Sequence, residues 1–469
     1  MSTSTSETLH ADGLFPLKLT SFEDYMRIDD RPKYPMSFFI EIRLSGDVNR
    51  EVMDSSLRAA LQRHPLLTAH LDTSWFRSPR WLDAQDFSEI HWFQGAPVLP
   101  HFKDRFIDLR ESAGLRVWAG ETSGECRMVF QFHHAVTDGV GAIQFIGDVL
   151  AYYGQATCGA AEAPDIVPVE RMVLPKRGQL WEPGHGHQRL LSHLLWWSTH
   201  LASSYPAELQ FRQEDQTPSN DPFVTRCLDG KTTRQLKKQA TQHGVTPNEL
   251  FTLAMFQLLQ QWNLQQGAAS MRETIRVGIP FTLRTVTHGR SPAANVLSYM
   301  FLTRKSRDIE NAEQTLKYIH QTSTDVLSSG DHALLAWGIG LVRKCPGLLR
   351  ATTSTPTRFA TAIMSNIGEV KRVLRNRFPM DRGRCVAGNL ILEQLLGATT
   401  TRSGTRLGLA LGHYAGKLYM NLNCDPWHCS RTDADKMADM FVDLLQRLAK
   451  PKTEARAVKT RPIQRVFTA

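Results

Sequence analysis

The chain has 469 residues, 42% of them hydrophobic and 22% charged, with a formal net charge of +9. That length exceeds one ordinary core and suggests two or three domains, and the composition excludes disordered, fibrous and disulfide-dense classes. No apolar run reaches the roughly 18 residues that a membrane-spanning helix needs. The seven cysteines are dispersed without metal-ligand spacing, which fits a reducing cytoplasm and predicts no metal site.

In chain order, residues 1–14 lack the basic start and apolar centre of a signal peptide and read as a disordered lead. Thr20-Ser21-Phe22-Glu23 is a capping-box pattern that opens a first helix. Residues 36–44 alternate, with Phe38, Ile40, Ile42 and Leu44 on one face of a strand. Residues 49–64 form a helix whose core side carries Met53, Leu57, Ala60 and Leu61, and Pro65 ends it. Short strands follow, the last over 126–132, and residues 139–153 predict a helix with Ala142, Phe145, Ile146, Val149, Leu150 and Tyr153 on one buried face.

Periodicity then weakens over 154–221, interrupted by a Leu- and Trp-rich helix over 188–205, and this region reads as the crossover between two halves. Thr246-Pro247-Asn248-Glu249 starts a helix that is apolar on several faces through Trp262, hence buried. Strands are predicted at 275–280, 295–303 and 362–366. The most apolar stretch, 332–342, reads as a buried helix, with a substrate-channel or membrane-facing role as the alternative. Ser430 begins a closing helix with Met437, Met440, Phe441, Leu444, Leu445 and Leu448 on one stripe, followed by a basic, disordered tail over 451–469.

One heptad between the strand at 126–132 and the helix at 139–153 carries chemistry: His133-His134-Ala135-Val136-Thr137-Asp138-Gly139. Reactive groups are often held at such strand ends. A neutral imidazole accepts a proton from a hydroxyl or amine as that group attacks a carbonyl, and histidine's ordinary pKa of about 6.5 suits that task. Asp138 has two available jobs: fixing the histidine tautomer, or pairing with a cation elsewhere to lock the loop. Gly139 permits backbone angles that a larger residue resists. The same residues also fit a pair of packed histidines beside an Asp-Gly turn, or metal ligands.

The heptad resembles the HHxxxDG signature of the chloramphenicol acetyltransferase-like acyltransferases. That superfamily includes peptide-synthetase condensation domains, alcohol acyltransferases, polyketide-associated acyltransferases and wax ester synthases. Further matches follow in the family's order over roughly residues 15–450: Arg63-His64-Pro65-Leu66-Leu67, Leu115-Arg116-Val117, the strand at 277–284 ending in Arg284, Met364-Ser365-Asn366-Ile367-Gly368, and the strand at 418–425. The resemblance implies an α/β fold of two acyltransferase-like subdomains, 15–175 and 222–450, joined by a crossover at 176–221 and meeting along a cleft or tunnel. It implies that His134 is the general base, that His133 supports it, and that Asp138 turns away from the reaction to pair with Arg284. It implies no covalent acyl-enzyme. Ser365, Asn366 and the backbone amides near Gly139 are the candidates for stabilising an oxyanion.

The implied activity is transfer of an acyl group from a thioester to a hydroxyl or amine, with no tightly bound cofactor. The acyl-CoA or phosphopantetheine-linked donor is a co-substrate. Residues 341–384 hold ten Lys or Arg against Glu369 and Asp381. Such a rim suits coenzyme A phosphates or an acidic acyl carrier protein, with a solvated surface as the plain alternative. No nucleic-acid motif accompanies it. The other expectations are a small-molecule acceptor, a monomer and a cytoplasmic location. The competing readings are a catalytically idle condensation-like scaffold for carrier proteins, and a stand-alone peptide-bond-forming condensation enzyme.

Overall fold

Local signals set the element boundaries in the computed structural model, which describes residues 13–74, 77–159, 163–178, 205–211, 220–267, 272–284, 290–329, 334–345, 347–354 and 358–451. Thr20 accepts a hydrogen bond from the Glu23 amide at 3.1 Å, and the Glu23 carboxylate accepts from the Thr20 amide at 3.0 Å. This reciprocal cap opens helix Ser21–Asp29. Thr246 and Glu249 repeat the device at the head of Pro247–Gln265, whose buried residues lie on several faces. Side chains of Asn49, Asp138, Asp229 and Ser430 cap helices Arg50–Leu61, Gly139–Thr157, Gly230–Gln242 and Arg431–Ala449. Ala142, Phe145, Ile146, Val149, Leu150 and Tyr153 are all buried along Gly139–Thr157.

Two mixed sheets organise these helices into an α/β fold of two halves. The first has seven strands, in spatial order Met380–Asp381, Arg384–Ala387, Leu390–Ala398, Ser37–Ser45, Glu125–His133, Leu115–Thr122 and Ile90–Gln94. The second has six, in the order Leu297–Lys305, Thr274–Thr282, Ala362–Glu369, Leu407–Tyr414, Lys417–Cys424 and Val224–Leu228. A small third sheet joins Leu17–Lys18, Arg80–Asp83 and Ala69–Asp72. Each large sheet anchors its own apolar core, one around Phe130, Phe132 and Phe145, the other around Phe251, Phe256 and Phe441.

The later part of the chain completes the earlier sheet. Residues 380–398 lie inside the range 222–450 assigned above to the second half. Yet Leu390–Ala398 runs antiparallel to Ser37–Ser45, with Leu395 opposite Ile42. The reason is burial: Leu390, Leu392 and Leu395 are at most 2% exposed, within the core of the first half. The apolar stretch expected as a buried helix forms Leu334–Arg343 and is only partly buried, with Ile339 at 5% exposure and Leu341 at 37%. The expected helix over 188–205 lies outside the described residues except for Tyr205, and so do the lead over 1–12 and the tail over 452–469. Among the described residues no helix is long and apolar enough to cross a membrane.

Because the exchanged strand stitches the first sheet together, Leu392→Ala will lower stability by about 2–5 kcal/mol, the usual range for a buried leucine. The urea midpoint measures this, and a loss below about 1 kcal/mol would contradict the pairing's importance.

Candidate active site where the two sheets meet

Strand Glu125–His133 is held between its neighbours until its last residue, where the His133 amide donates to the Gly114 carbonyl at 2.8 Å. One residue later the His134 amide donates to Met36 at 2.7 Å. The turn that follows ends at Asp138, the N-cap of Gly139–Thr157. Both histidines are thus fixed by sheet bonds, while the aspartate is fixed by the helix it starts.

The two rings face different surroundings. His133 is fully buried. Its Nδ1 accepts from the Ala135 amide at 3.0 Å, so in the neutral ring the proton sits on Nε2, which lies 3.1 Å from Asp30 Oδ2. His133 therefore shapes the turn. His134 is half-buried, with its ring 4.6 Å from that of Phe38. It lines a cavity of about 90 Å³ together with Gly139, Tyr299 and Ser365. Strands of both large sheets wall this cavity, Ser37–Ser45 and Leu390–Ala398 on one side, Ala362–Glu369 and Leu407–Tyr414 on the other. Burial pushes the His134 pKa down to about 4, with Asp138 opposing and His133 assisting. The ring is therefore neutral at pH 7 and available as a proton acceptor.

Asp138 is turned to the second half of the chain. Its Oδ1 accepts from the Gly141 amide at 2.9 Å. Its Oδ2 accepts from Arg284 Nη1 at 2.6 Å and from the Val296 amide at 2.8 Å. Arg284 Nη2 in turn donates to the Ala294 carbonyl at 2.8 Å. Both side chains are under 10% exposed. The structure thus brings Asp138 and Arg284 together as an ion pair that joins the heptad to the strand entering at Leu297.

Of the two oxyanion candidates on the neighbouring strand, Ser365 lines the His134 cavity and Asn366 does not. The Asn366 amide group donates to Asn248 at 3.1 Å and its carbonyl oxygen accepts from the Gly368 amide at 2.9 Å, so it holds a bend. Gly139 is the first residue of its helix and also lines the cavity, which brings the positive end of the helix dipole to the site.

Several contributors escaped the sequence reading. Asn295 is buried, and its Nδ2 donates to the His134 carbonyl at 2.6 Å. A Cβ on Gly141 would lie 2.5 Å from Thr137 Oγ1 within the heptad itself, and 3.2 Å from the Ala294 amide nitrogen of the facing segment, so the turn leaves room only for glycine there. His64 joins a buried knot: Nδ1 accepts from the Ala293 amide at 2.8 Å and Nε2 lies 3.1 Å from Asp148 Oδ2. Burial alone would raise the Asp148 pKa, but His64, Arg377 and Arg63 hold it down to about 2. The resemblance marked His64 only as part of a turn.

Four arginines of the basic run at 341–384 are engaged in ion pairs. Arg343 pairs with Asp24, Arg358 with Glu208, Arg377 with Asp148, and Arg384 with Asp381 and Glu393. All seven cysteines are free thiols. Among the described residues no group of three or more His, Cys, Asp or Glu side chains is arranged to hold a metal ion.

Comparison with known proteins places this geometry. A family profile described as the condensation domain matches residues 30–285. An uncharacterized protein of Mycobacterium tuberculosis is 24% identical over 380 residues, covering 76% of this chain and 83% of its own. Trichothecene 15-O-acetyltransferase from Fusarium sporotrichioides superposes with a TM-score of 0.67 at 12% identity, over 92% of this chain and 94% of its own. A variant of the starter condensation domain of rhizomide synthetase, solved with C8-CoA, superposes with a TM-score of 0.63 at 15% identity, over 92% and 95% of the two chains. These structures share the fold.

The ion pair generates a stability prediction. Asp138→Ala leaves Arg284 and the Val296 amide unanswered in a buried place and will cost about 3–5 kcal/mol. Asp138→Asn keeps the cap and will cost less. Urea denaturation of both variants checks this, and an Asp138→Ala protein of unchanged midpoint would refute the structural role.

Proposed function

Because the chain belongs to the condensation-domain family, we propose that it is an acyltransferase. It moves an acyl group from a thioester, on coenzyme A or on the phosphopantetheine arm of a carrier protein, to a hydroxyl or amine acceptor. The observation that carries this reading is His134: a neutral imidazole lining a cavity walled by both sheets. Asp138 is committed elsewhere and leaves the ring free to accept.

In the proposed step, His134 takes the acceptor's proton as the acceptor oxygen or nitrogen bonds to the thioester carbonyl carbon. Asn295 Nδ2 lies 3.5 Å from Nδ1, so the remote nitrogen, Nε2, does this, while the carbonyl held by Asn295 fixes the ring's backbone. The carbonyl electrons move onto oxygen. Ser365 and Gly139, the amide end of Gly139–Thr157, line the same cavity, and in this reading they stabilise that oxyanion, where preorganised donors contribute most. Collapse breaks the carbon–sulfur bond, and the thiolate recovers the proton from His134. Released thiol and acylated acceptor balance the reaction, with no acyl-enzyme formed. The names of the structural relatives support the class: one is an O-acetyltransferase and another was solved with an acyl-CoA.

Thiol release from a panel of acyl-CoAs, offered with mixed alcohol and amine acceptors, tests the reading. His134→Ala will lose about 10²–10⁴-fold in rate, the usual contribution of a general base. A folded His134→Ala variant with wild-type turnover would refute it. Turnover with an acylated carrier protein but not with acyl-CoA would select the carrier-dependent branch.

The pH profile follows from the depressed pKa. Only the neutral ring accepts a proton, so kcat/KM rises with pH through the pKa of the free enzyme. That acid limb will lie below the ordinary 6.5 and towards about 4. A limb at or above 6.5 would contradict the buried, neutral imidazole.

A further inference from the structure

The cavity at His134 adjoins a larger one, with Tyr299, Ile363 and Thr400 lining both. This second chamber has a volume of about 490 Å³. It lies among helix Ser21–Asp29, helices Leu334–Arg343 and Leu348–Ser354, and strands Leu297–Lys305 and Ala362–Glu369. Its walls are mostly hydrocarbon, with Met26, Met36, Phe301, Leu335, Ile339 and Leu349 facing the space. Arg402 is the one charged side chain among the described lining residues, and it is already engaged. Its Nε lies 2.6 Å from Asp29 Oδ2 and its Nη2 donates to Oδ1 at 2.8 Å. Its guanidinium also covers the Tyr25 and Phe359 rings at 5.8 and 5.2 Å. Burial raises the Tyr299 phenol to about 12, so the residue at the junction stays uncharged.

A third cavity shares Leu297 with the His134 site and has a more polar wall than the larger chamber. Thr20, Ser21, Asn295, Arg177 and Lys344 line it. The two approaches therefore differ in chemistry. An acceptor must present its hydroxyl or amine in a fixed orientation, and orientation comes from convergent polar groups. The larger chamber is poor in such groups. It rewards only the removal of hydrocarbon from water, in proportion to the length buried.

The geometry points to this chamber as the seat of the donor's acyl chain, and to a long, uncharged hydrocarbon chain as the group transferred. The inference rests on the acyl-transfer reading above. A chain passing Tyr299 and Ile363 into the chamber leaves its thioester carbonyl in the smaller cavity beside His134 and Ser365. A short acyl group would leave the chamber unfilled. A chain ending in a carboxylate or ammonium would bury a charge where the one charged lining residue described, Arg402, is already paired with Asp29.

Binding is measured by titration calorimetry with S-dodecylpantetheine and S-ethylpantetheine. Both are non-transferable thioethers of the arm common to coenzyme A and carrier proteins. In the wild-type protein the dodecyl compound will bind at least about 100-fold more tightly, well within what ten buried methylenes supply. Ile339→Trp, whose larger side chain takes up part of the chamber, will cut that gain by at least about tenfold and leave the ethyl compound within about twofold. Leu335→Trp, at a less buried position of the same wall, serves if the first variant fails to fold by circular dichroism. Equal affinity for the two thioethers, no measurable binding of the dodecyl compound, or a gain that survives both fillings overturns the assignment. Chain-dependent binding with no thiol release from any donor would remove the transfer reading while keeping the chamber. Release from acetyl-CoA without a chain-length gain would do the reverse.

Discussion

The Asp138 carboxylate is the point on which the arrangement depends. It is shared between its own helix, through the Gly141 amide, and the other half of the chain, through Arg284 and the Val296 amide. An isolated carboxylate this buried would be costly. Here each partner is an N–H donor, and one is a cation. The pair holds the heptad against the segment that carries Asn295, and Asn295 in turn grips the His134 carbonyl. The His134 ring is thus positioned by a charge that does not touch it. His64 reinforces the same segment from below through the Ala293 amide.

The charges around the site are sorted by this logic. Two carboxylates, Asp138 and Asp148, sit deep in the protein with arginines against them. His134 receives no such partner, and burial leaves it neutral. Ion pairing is thus concentrated in the supports, and the cavity at His134 is mostly apolar. A neutral acceptor in an apolar cavity suits proton abstraction from a neutral hydroxyl, because burial outweighs the pull of Asp138 towards the charged form of the ring.

Much of this was legible in the sequence because it is local. The caps at Thr20 and Thr246, the amphipathic stripe of Gly139–Thr157 and the strand before the heptad are each written within a few residues. The heptad's order of residues places His134 at a strand end and Asp138 at a helix start. Asn295 was not legible, because what constrains it is the approach of a segment 161 residues away. Strand Leu390–Ala398 was not legible either: a strand's pattern shows which face is buried but not which strand lies beside it. The apolar chamber has the same origin. Its walls come from several separate segments, and only their assembly encloses a space.

The exchanged strand also bears on how the protein is made. Ser45 bonds Glu393 across 348 residues of chain, and the whole of Ser37–Ser45 meets its outer neighbour only there. During synthesis the amino-terminal sheet must therefore wait, with one hydrogen-bonding edge bare, until nearly the entire polypeptide has left the ribosome. Such an open edge is where newly made chains stick to one another. The molecule is a single cooperative object in its assembly, and a version truncated before residue 390 would be expected to depend on chaperones or collect as aggregate rather than persist as a free half.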